Sequence, residues 1–524
     1  MSLALSLTGI DSSNPLPGIY AEIRFAQGSA GGDTSPRRCL IIAPKTSAGS
    51  ITVDTQVLGP ISDEADAITY CGTGSPAHRM VRAFLAVNKT AELYVICPTA
   101  ATGTAAVEKV TFVNAATGAG VASVYLCGEK ISIAIANGDA IATMATNLAQ
   151  AINNMTWLPV TASAALGVVT ITARIAGEEL NTMRIRAEIT SGITTTISPT
   201  SDIPFGTSGV GGATAGIGTI SYTSALATIL AKKFHYIVPH YMCAHDGSTP
   251  WAATPGTSVP VDALLDQVST QAEPSTGFRQ KVIVGAALTP SNANTLASSV
   301  CNRARCRVIN QEEAPEEHYV LAAKAAAVLM KYELSDPSYN FDFFGTKDGQ
   351  TFPVKRAYND SAVPTSTELK SMLNNGVTPV AVSETDNCYI ARSVTTYCKN
   401  GSNYDYRARD SIVVAVGDKF VDDMVAKLAA APWTKVTTDP PEGGKEPPAD
   451  FATPKRVKAI VETLVFDYRD AGWLDPGKVA DLIASIQVGQ DPVVPSRMNI
   501  SLPIYSAVLL HQFGLLVKEA SPAT

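Results

Sequence analysis

The sequence has few charged residues and no long apolar runs, and each scarcity excludes a class of protein. Charged residues make up 17% of the 524 residues, aromatic residues 7% and hydrophobic residues 46%. A chain this apolar can build packed cores, which argues against disorder over most of its length. Apolar runs such as 412–416 and 507–510 fall far short of the roughly 20 residues that a membrane span requires. We therefore expect a soluble protein with no direct membrane insertion.

Positive charge and paired cysteines are also scarce. The chain carries 40 Lys and Arg against 47 Asp and Glu, a formal net charge of −7, so no overall positive field favours nucleic acid as a partner. The nine cysteines are an odd number with no CxxC pair, which argues against a disulfide framework. Residues 1–13 lack the basic residues and the continuous apolar stretch of a signal peptide. We expect synthesis and folding in the cytoplasm.

Signatures of catalysis and of nucleotide binding are missing. The sequence contains neither the G-x-S-x-G nucleophile elbow nor HExxH. The glycine-rich segment 206–216 lacks the Lys followed by Ser or Thr that closes a phosphate loop, so we interpret it as a flexible connector. The acidic run 312–317 beside His318 surrounds a helix start, where we interpret it as a solvated face.

One cluster of possible metal ligands occurs, and its spacing argues against a metal site. Its members are His235, His240, Cys243 and His245. The spacing H-x4-H-x2-C-x-H matches no structural zinc pattern, and a buried strand at 234–238 would point alternate residues to opposite faces. We therefore predict no catalytic residue, no cofactor and no metal.

Alternating helices and strands predict an α/β core, which is a mixed, largely parallel sheet with helices on its faces. Between residues 99 and 197, short strands surround one helix whose apolar face carries Met144, Ala145 and Leu148, and we interpret this segment as an inserted small α+β domain. The predicted organisation is an arm at 1–16, core at 17–98, insertion at 99–215, core at 216–400, a C-terminal helical or α+β domain at 401–503 and an arm at 504–524. Helices are predicted near 76–88, 141–152, 221–232, 261–268, 292–302, 315–332, 366–375, 417–431 and from 453 onward.

Both chain ends are predicted to be extended strand arms with one apolar face. Alternation of apolar with small or polar residues is the pattern of a half-buried strand, and a strand without a partner in its own chain exposes backbone groups that another chain can pair with. The arm positions are Leu3, Leu5, Leu7, Ile10, Val508, Leu510 and Leu515. The strands expected to accept them contain Ile19, Ile23, Met498, Ile500 and Leu502.

Three cations lie near the start of a predicted helix for which Thr453 is the expected N-cap. They are Lys455, Arg456 and Lys458. The helix dipole disfavours positive charge there by about 0.3 to 1 kcal/mol per residue. Two interpretations remain open, namely a solvated basic end and a surface that faces an acidic partner.

Several segments, taken in order, resemble the sheath proteins of contractile phage tails, most closely those of Mu-like phages. PGIYAEI at 17–23 is similar to the N-terminal strand of that family. GGATAG at 211–216, followed by a helix and FHYIVPH at 234–240, resembles its glycine-rich return into the core. LNNGVTPV at 373–380 and RSVTTY at 392–397 resemble a later stretch.

The resemblance implies a structural and mechanical role with no enzymatic activity. It implies a homopolymer of stacked hexameric rings around a tail tube, linked by exchanged terminal strands, whose contraction drives the tube through the host envelope. The implied partners are the tube, baseplate and tail terminator proteins, and the implied location is the virion tail, assembled in the host cytoplasm. In this arrangement Lys455, Arg456 and Lys458 would face the tube and the insertion would project outward. The alternatives are a sheath from a phage-like injection machine and an α/β enzyme with an unrecognised small-molecule site.

Overall fold

A computed structural model describes most of the chain, and both predicted arms lie largely outside it. The described residues are 37–190, 195–206, 213–218, 220–240, 260–273, 276–333, 336–338 and 352–507. The predicted positions outside these ranges are Leu3, Leu5, Leu7, Ile10, Ile19, Ile23, Cys243, His245, Val508, Leu510 and Leu515.

Eleven α-helices and twenty-two strands are assigned in the described residues. The helices are α1 Glu64–Cys71, α2 Pro76–Val87, α3 Ile141–Asn154, α4 Thr223–Ile229, α5 Pro260–Gln271, α6 Pro290–Thr295, α7 His318–Glu333, α8 Ser366–Asn374, α9 Ser411–Ala429, α10 Pro454–Asp470 and α11 Val479–Ser485. The strands are β1 Arg38–Ile42, β2 Val57–Leu58, β3 Glu92–Ile96, β4 Val107–Phe112, β5 Gly120–Leu126, β6 Glu129–Ile135, β7 Val160–Ala165, β8 Val168–Ala173, β9 Arg184–Ile189, β10 Ile197–Ser198, β11 Ile203–Pro204, β12 Tyr236–Pro239, β13 Lys281–Ala286, β14 Cys306–Asn310, β15 Val377–Val382, β16 Cys388–Ile390, β17 Lys399–Asn400, β18 Asn403–Tyr404, β19 Lys435–Val436, β20 Phe451–Ala452, β21 Gln487–Gln490 and β22 Met498–Ser501.

The central element is an eight-stranded sheet in the order β16-β15-β14-β13-β12-β1-β3-β2. The six inner strands run parallel, and the edge strands β2 and β16 run antiparallel to their neighbours. Successive residues of β1 point to opposite faces, so Cys39 and Ile41 belong to one apolar cluster with α2 and α7, whereas Leu40 and Ile42 belong to another with α4 and α5. The prediction of a mixed, largely parallel sheet with helices on its faces is confirmed.

Helix α7 lies against the sheet at a position that requires glycine. Nearly every side chain of this alanine-rich helix is buried. An ideal Cβ built on Gly285 of β13 would lie 1.8 Å from the His318 carbonyl oxygen, far inside contact distance. Small side chains on the helix and no side chain at Gly285 therefore let α7 approach the sheet closely.

Residues 104–217 contain two further four-stranded sheets, ordered β10-β4-β8-β7 and β11-β9-β5-β6, in which all pairings are antiparallel. Helix α3 buries Met144, Ala145 and Leu148, as its spacing predicts. Strand β7 was not predicted, because its segment TASAA has little apolar character. The division of the chain into an inserted domain and a core stays a prediction.

The C-terminal region has a separate apolar core built from α9, α10, α11 and the β21–β22 pair. Thr453 caps α10 by accepting a hydrogen bond from the Arg456 backbone N–H, Pro454 occupies the first turn, and Gly472 follows the end with φ of 77°. These features confirm the predicted helix boundaries. The proline-rich stretch 437–450 contains no helix or strand.

Candidate polymerisation interface

The strands β21 and β22 form a two-stranded antiparallel sheet in which Val488 pairs with Ile500 and Gln490 with Met498. Within the described part of the chain neither strand has a second neighbour. Every other residue of each strand therefore directs its backbone N–H and C=O away from its partner, toward an open edge. The arrangement can accept one more strand on either side.

The buried carboxylate of Asp491 holds the connection between these two strands. Its Oδ1 accepts hydrogen bonds from the backbone N–H groups of Val493 at 2.8 Å and Val494 at 2.9 Å. Its Oδ2 accepts from Arg497 Nε at 3.0 Å and Nη2 at 2.5 Å, and from Asn499 Nδ2 at 2.8 Å. Burial alone would raise the pKa of this carboxyl, but these donors outweigh burial and hold the pKa well below its usual value. Because the carboxylate stays ionised, the turn is fixed over a wide pH range.

The predicted acceptor residues Met498, Ile500 and Leu502 lie together in and just after β22. All three are half-buried, and Ile500 and Leu502 pack against the C-terminal core. Further on, Ala507 donates its backbone N–H to the Trp473 carbonyl at 3.2 Å. The chain therefore runs beside the end of α10 where the predicted C-terminal arm begins.

The structure separates the three predicted tube-facing cations into two kinds. Arg456 donates to the backbone carbonyls of Pro448 at 2.7 Å, Phe451 at 2.8 Å and Pro447 at 2.7 Å. Its guanidinium therefore anchors the proline-rich stretch 437–450 to α10, a stabilising role that the sequence did not reveal. Lys455 is 76% exposed with Glu446 at 3.7 Å, and Lys458 is 38% exposed with Glu462 at 3.9 Å. Such exposed pairs contribute about 1 kcal/mol or less, so both lysines can contact a partner.

Ion pairs attach the C-terminal region to the core sheet. Arg305, just before β14, makes two 2.8 Å contacts with Asp418 of α9, and both side chains are buried. One helical turn later, Asp422 pairs with Arg279. The two-pronged Arg305–Asp418 contact and the single Arg279–Asp422 contact together set the orientation of α9 on the sheet.

The acidic run 312–317 is not a solvated face, so that interpretation is wrong for three of its members. Glu317 is buried and pairs with Arg79 of α2 at 2.7 Å, Glu316 pairs with Lys324 at 2.6 Å, and Glu313 pairs with Arg184 at 2.9 Å. The sequence does not show these partners because two of the three cations lie far away along the chain.

Three buried ring side chains, His240, His318 and Tyr319, lie near the end of β12, at the part of the sheet where α/β enzymes commonly bind ligands. Strand order reverses between β1 and β12, and ligands usually bind at the carboxyl ends of such strands. His240, directly after β12, is fully buried with its ring centroid 4.6 Å from that of Tyr319 and 6.4 Å from that of His318. His318 Nε2 donates to the His240 carbonyl at 3.3 Å, and its Nδ1 accepts from the Thr182 hydroxyl at 3.1 Å. Burial lowers the pKa of His318 to about 4.

Of the other candidate ligand positions, only His235 lies among the described residues. His235 Nδ1 accepts the backbone N–H of Arg38 at 2.9 Å, at the opposite end of β12 from His240. Among the described residues no group of three or more His, Cys, Asp or Glu is placed to hold a metal ion. From the glycine-rich segment, Gly206 donates its N–H to Glu108 and Gly216 exchanges two hydrogen bonds with the Asn181 side chain. No helix of the described chain is long and apolar enough to cross a bilayer.

Comparison with known proteins identifies one relative by sequence. Over 191 residues the chain is 30% identical to the Mu-like prophage FluMu tail sheath protein of Haemophilus influenzae. The predicted resemblance to tail sheath proteins is confirmed. The match covers 36% of this chain and 39% of the length of that relative. No family model matches the chain.

Solved structures of sheath proteins align with most of the chain at low identity. The sheath tail protein of Desulfitobacterium hafniense aligns with 93% of this chain and 99% of its own, with a TM-score of 0.44 and 12% identity. The sheath complex of an extracellular contractile injection system in its contracted state aligns with 97% of this chain and 98% of its own, with a TM-score of 0.44 and 11% identity.

Proposed function

We propose that this chain is the structural subunit of a contractile tail sheath, which polymerises helically around a tail tube as stacked hexameric rings. Two observations support this function, namely the sequence match to a tail sheath protein and the two-stranded β21–β22 sheet, in which neither strand has a second neighbour among the described residues. In this proposal the sheath assembles in the host cytoplasm as part of a virion tail. The baseplate contacts one end of the sheath and the tail terminator protein contacts the other.

The open edges of β21 and β22 carry the proposal. A two-stranded sheet alone is marginally stable, and its free backbone groups favour a third strand. We propose that the arms of neighbouring subunits supply it, with Leu3, Leu5, Leu7 and Ile10 on one side and Val508, Leu510 and Leu515 on the other. Their alternating apolar residues would cover the half-buried face beside Ile500. Subunits linked in this way stay connected while their bodies slide during contraction, which drives the tube through the host envelope.

The test of strand exchange is deletion of each arm. Full-length protein, a variant lacking residues 1–14 and a variant lacking the last twenty residues are compared by negative-stain electron microscopy and by size-exclusion chromatography. We expect striated tubes or stacked rings from the full chain and folded monomers from both deletions, because the buried residues of the three apolar clusters all lie between residues 39 and 486. Normal tubes from either deletion would contradict strand exchange, and discrete small particles from the full chain would contradict the sheath itself.

We propose that the C-terminal region 401–503 faces the tube and that Lys455, Arg456 and Lys458 form the contact, with residues 99–215 projecting outward. The two exposed lysines test this orientation, since Arg456 also anchors the neighbouring loop. Lys455→Glu with Lys458→Glu should abolish co-purification with an acidic tube surface while leaving the free subunit folded. Lys478→Glu, an exposed lysine of the same region, is the matched control. Unchanged tube attachment in the double variant would remove these residues from the interface.

A further inference from the structure

A second exposed surface lies on the short hairpin formed by β17 and β18 and the residues that follow it. Tyr404 is 57% exposed and Tyr406 43% exposed, and their rings stack with centroids 5.9 Å apart and planes 18° apart. We call this pair the tyrosine platform. Large side chains stacked in solvent expose apolar area that adds nothing to the core, and tyrosine is enriched where proteins meet partners.

Cations surround the tyrosine platform. Lys399 Nζ lies 5.8 Å from the centroid of the Tyr404 ring, and the Arg409 guanidinium lies 4.6 Å from the centroid of the Tyr406 ring. The two carboxylates of this segment already have cationic partners, because Asp405 accepts hydrogen bonds from Arg407 and from the Tyr397 hydroxyl at 2.8 Å, and Asp410 accepts from Arg392 Nε at 2.8 Å. The surface around the two rings is therefore positive, in a chain whose net charge is −7. A fitting partner would combine negative charge with groups that stack on aromatic rings.

The proline-rich stretch 437–450 of the same chain has this chemistry. It carries four prolines, four carboxylates and one lysine, and its residues 441–446 are all exposed. Proline rings pack on aromatic faces, and proline-rich segments enter such contacts with little loss of conformational entropy. Among the described residues no ion pair or hydrogen bond joins this stretch to the tyrosine platform within one chain.

The stretch is also held in one conformation. Arg456 binds the carbonyls of Pro447 and Pro448, and Lys435 pairs with Asp450 at 2.8 Å. Between these anchors the Gly444 N–H donates to the Pro441 carbonyl at 2.8 Å, which forms a turn with Glu442 at its tip. A segment already fixed in this way binds with a smaller entropic cost than a free loop.

We propose that the tyrosine platform of one subunit binds the proline-rich acidic stretch 437–450 of a second copy of this chain. Charge complementarity between the two surfaces selects this occupant, because Glu442 at the tip of the turn would approach Lys399 and Arg409 while prolines lie on the rings. The contact deepens the proposed sheath function, since it would be one of the lattice contacts between subunits. It uses neither terminal arm, so it can be tested separately from strand exchange.

The test is site-specific photocrosslinking in the full-length protein. A benzophenone amino acid replaces Tyr404, equal amounts of ¹⁵N-labelled and unlabelled chains are mixed before assembly, and mass spectrometry identifies the attached peptide. We expect adducts between differently labelled chains that fall within residues 437–450. Glu442→Lys should reduce the adduct about fivefold because it brings a cation to the positive platform. Lys445→Glu, a change in the same loop with the opposite sign, should keep or increase it.

Three results would overturn the proposal, namely no adduct, adducts only within one chain, and adducts to another segment. An adduct yield that Glu442→Lys leaves unchanged would do the same. Microscopy of the same samples separates this inference from the sheath function. Tubes without the expected adduct would contradict the platform contact alone, whereas the expected adduct without tubes would contradict the sheath alone.

Discussion

Asp491→Asn tests whether the strand pair that should accept neighbouring arms depends on one buried carboxylate. In this variant an NH2 group replaces the acceptor Oδ2. It would place donor hydrogens opposite the donor groups of Arg497 and Asn499, so both hydrogen bonds would be lost. A hydrogen bond to a charged group contributes about 1.5 to 3 kcal/mol, and water can partly replace the lost partner of Arg497. We therefore expect the β21–β22 pair to lose about 3 kcal/mol of local stability.

Hydrogen–deuterium exchange measures this loss directly, because amides exchange from locally opened states. At about 1.4 kcal/mol per factor of ten, a 3 kcal/mol loss increases exchange of the ladder amides in 487–501 about 100-fold. Amides of the central sheet should keep their rates, since its core is separate. Asp481→Asn removes the same charge from an exposed site in α11, where Lys478 lies 3.5 Å away, and should change the exchange rates of the pair very little.

The same carboxylate predicts a pH dependence with a defined sign. The pKa of Asp491 is lower in the folded protein than the value of about 3.9 in an unfolded chain. Its contribution to the stability of the β21–β22 pair is therefore fully present above pH 4 and is lost as the pH falls below 4. Protection of the pair should therefore fall below pH 4 in the wild type and change less in Asp491→Asn. Exchange rates of the pair that stay within threefold of the wild type at pH 7 in Asp491→Asn would refute this account of the turn.

Three further predictions concern the core. Arg79→Ala should lower the free energy of unfolding in urea by about 3 to 5 kcal/mol, because it leaves Glu317 buried without its cation. Replacing both residues by apolar side chains should lower it less, and equal losses would contradict the pairing argument. Gly285→Ala should prevent α7 from packing against the sheet and should yield little folded protein. As a control, Gly401→Ala has open space around its Cβ and should lower the free energy of unfolding by about 1 kcal/mol, measured by thermal denaturation. Because His318 is held near a pKa of 4, stability should fall by about 3 kcal/mol between pH 6.5 and 4 and should depend less on pH in His318→Gln.

Elements with a strong local pattern were predictable, and those with a conflicting pattern were not. Strand β12 is a continuous apolar run buried on both faces, and α10 carries a cap, a proline and a terminal glycine, so both were predicted near their true bounds. Helix α9 begins at Ser411, six residues before the predicted start, because its first turns contain the β-branched residues Ile412, Val413 and Val414. Packing against α10 outweighs the weak helix propensity of these residues. Helices α1 and α11 were missed because each is too short for a clear period.

The candidate interface was likewise predictable only in part. Alternation of Met498, Ile500 and Leu502 was sufficient to identify a strand near the C-terminus, but its pairing with β21 and its open edges are properties of the fold. Likewise, the sequence showed a basic first turn in α10, whereas it did not show that Arg456 donates to three backbone carbonyls.

By itself the sequence determined the α/β class, the apolar helix faces and the likeness to tail sheath proteins, because these depend on local periodicity and on the order of short segments. Tertiary structure alone decided which charges pair, such as Arg305 with Asp418 across 113 residues and Arg79 with Glu317 across 238. The physical reason is that a salt bridge between distant segments has no sequence signature, since any arginine can pair with any carboxylate. Only the packed sheet, which brings α2, α7 and α9 to fixed positions, selects one partner for each.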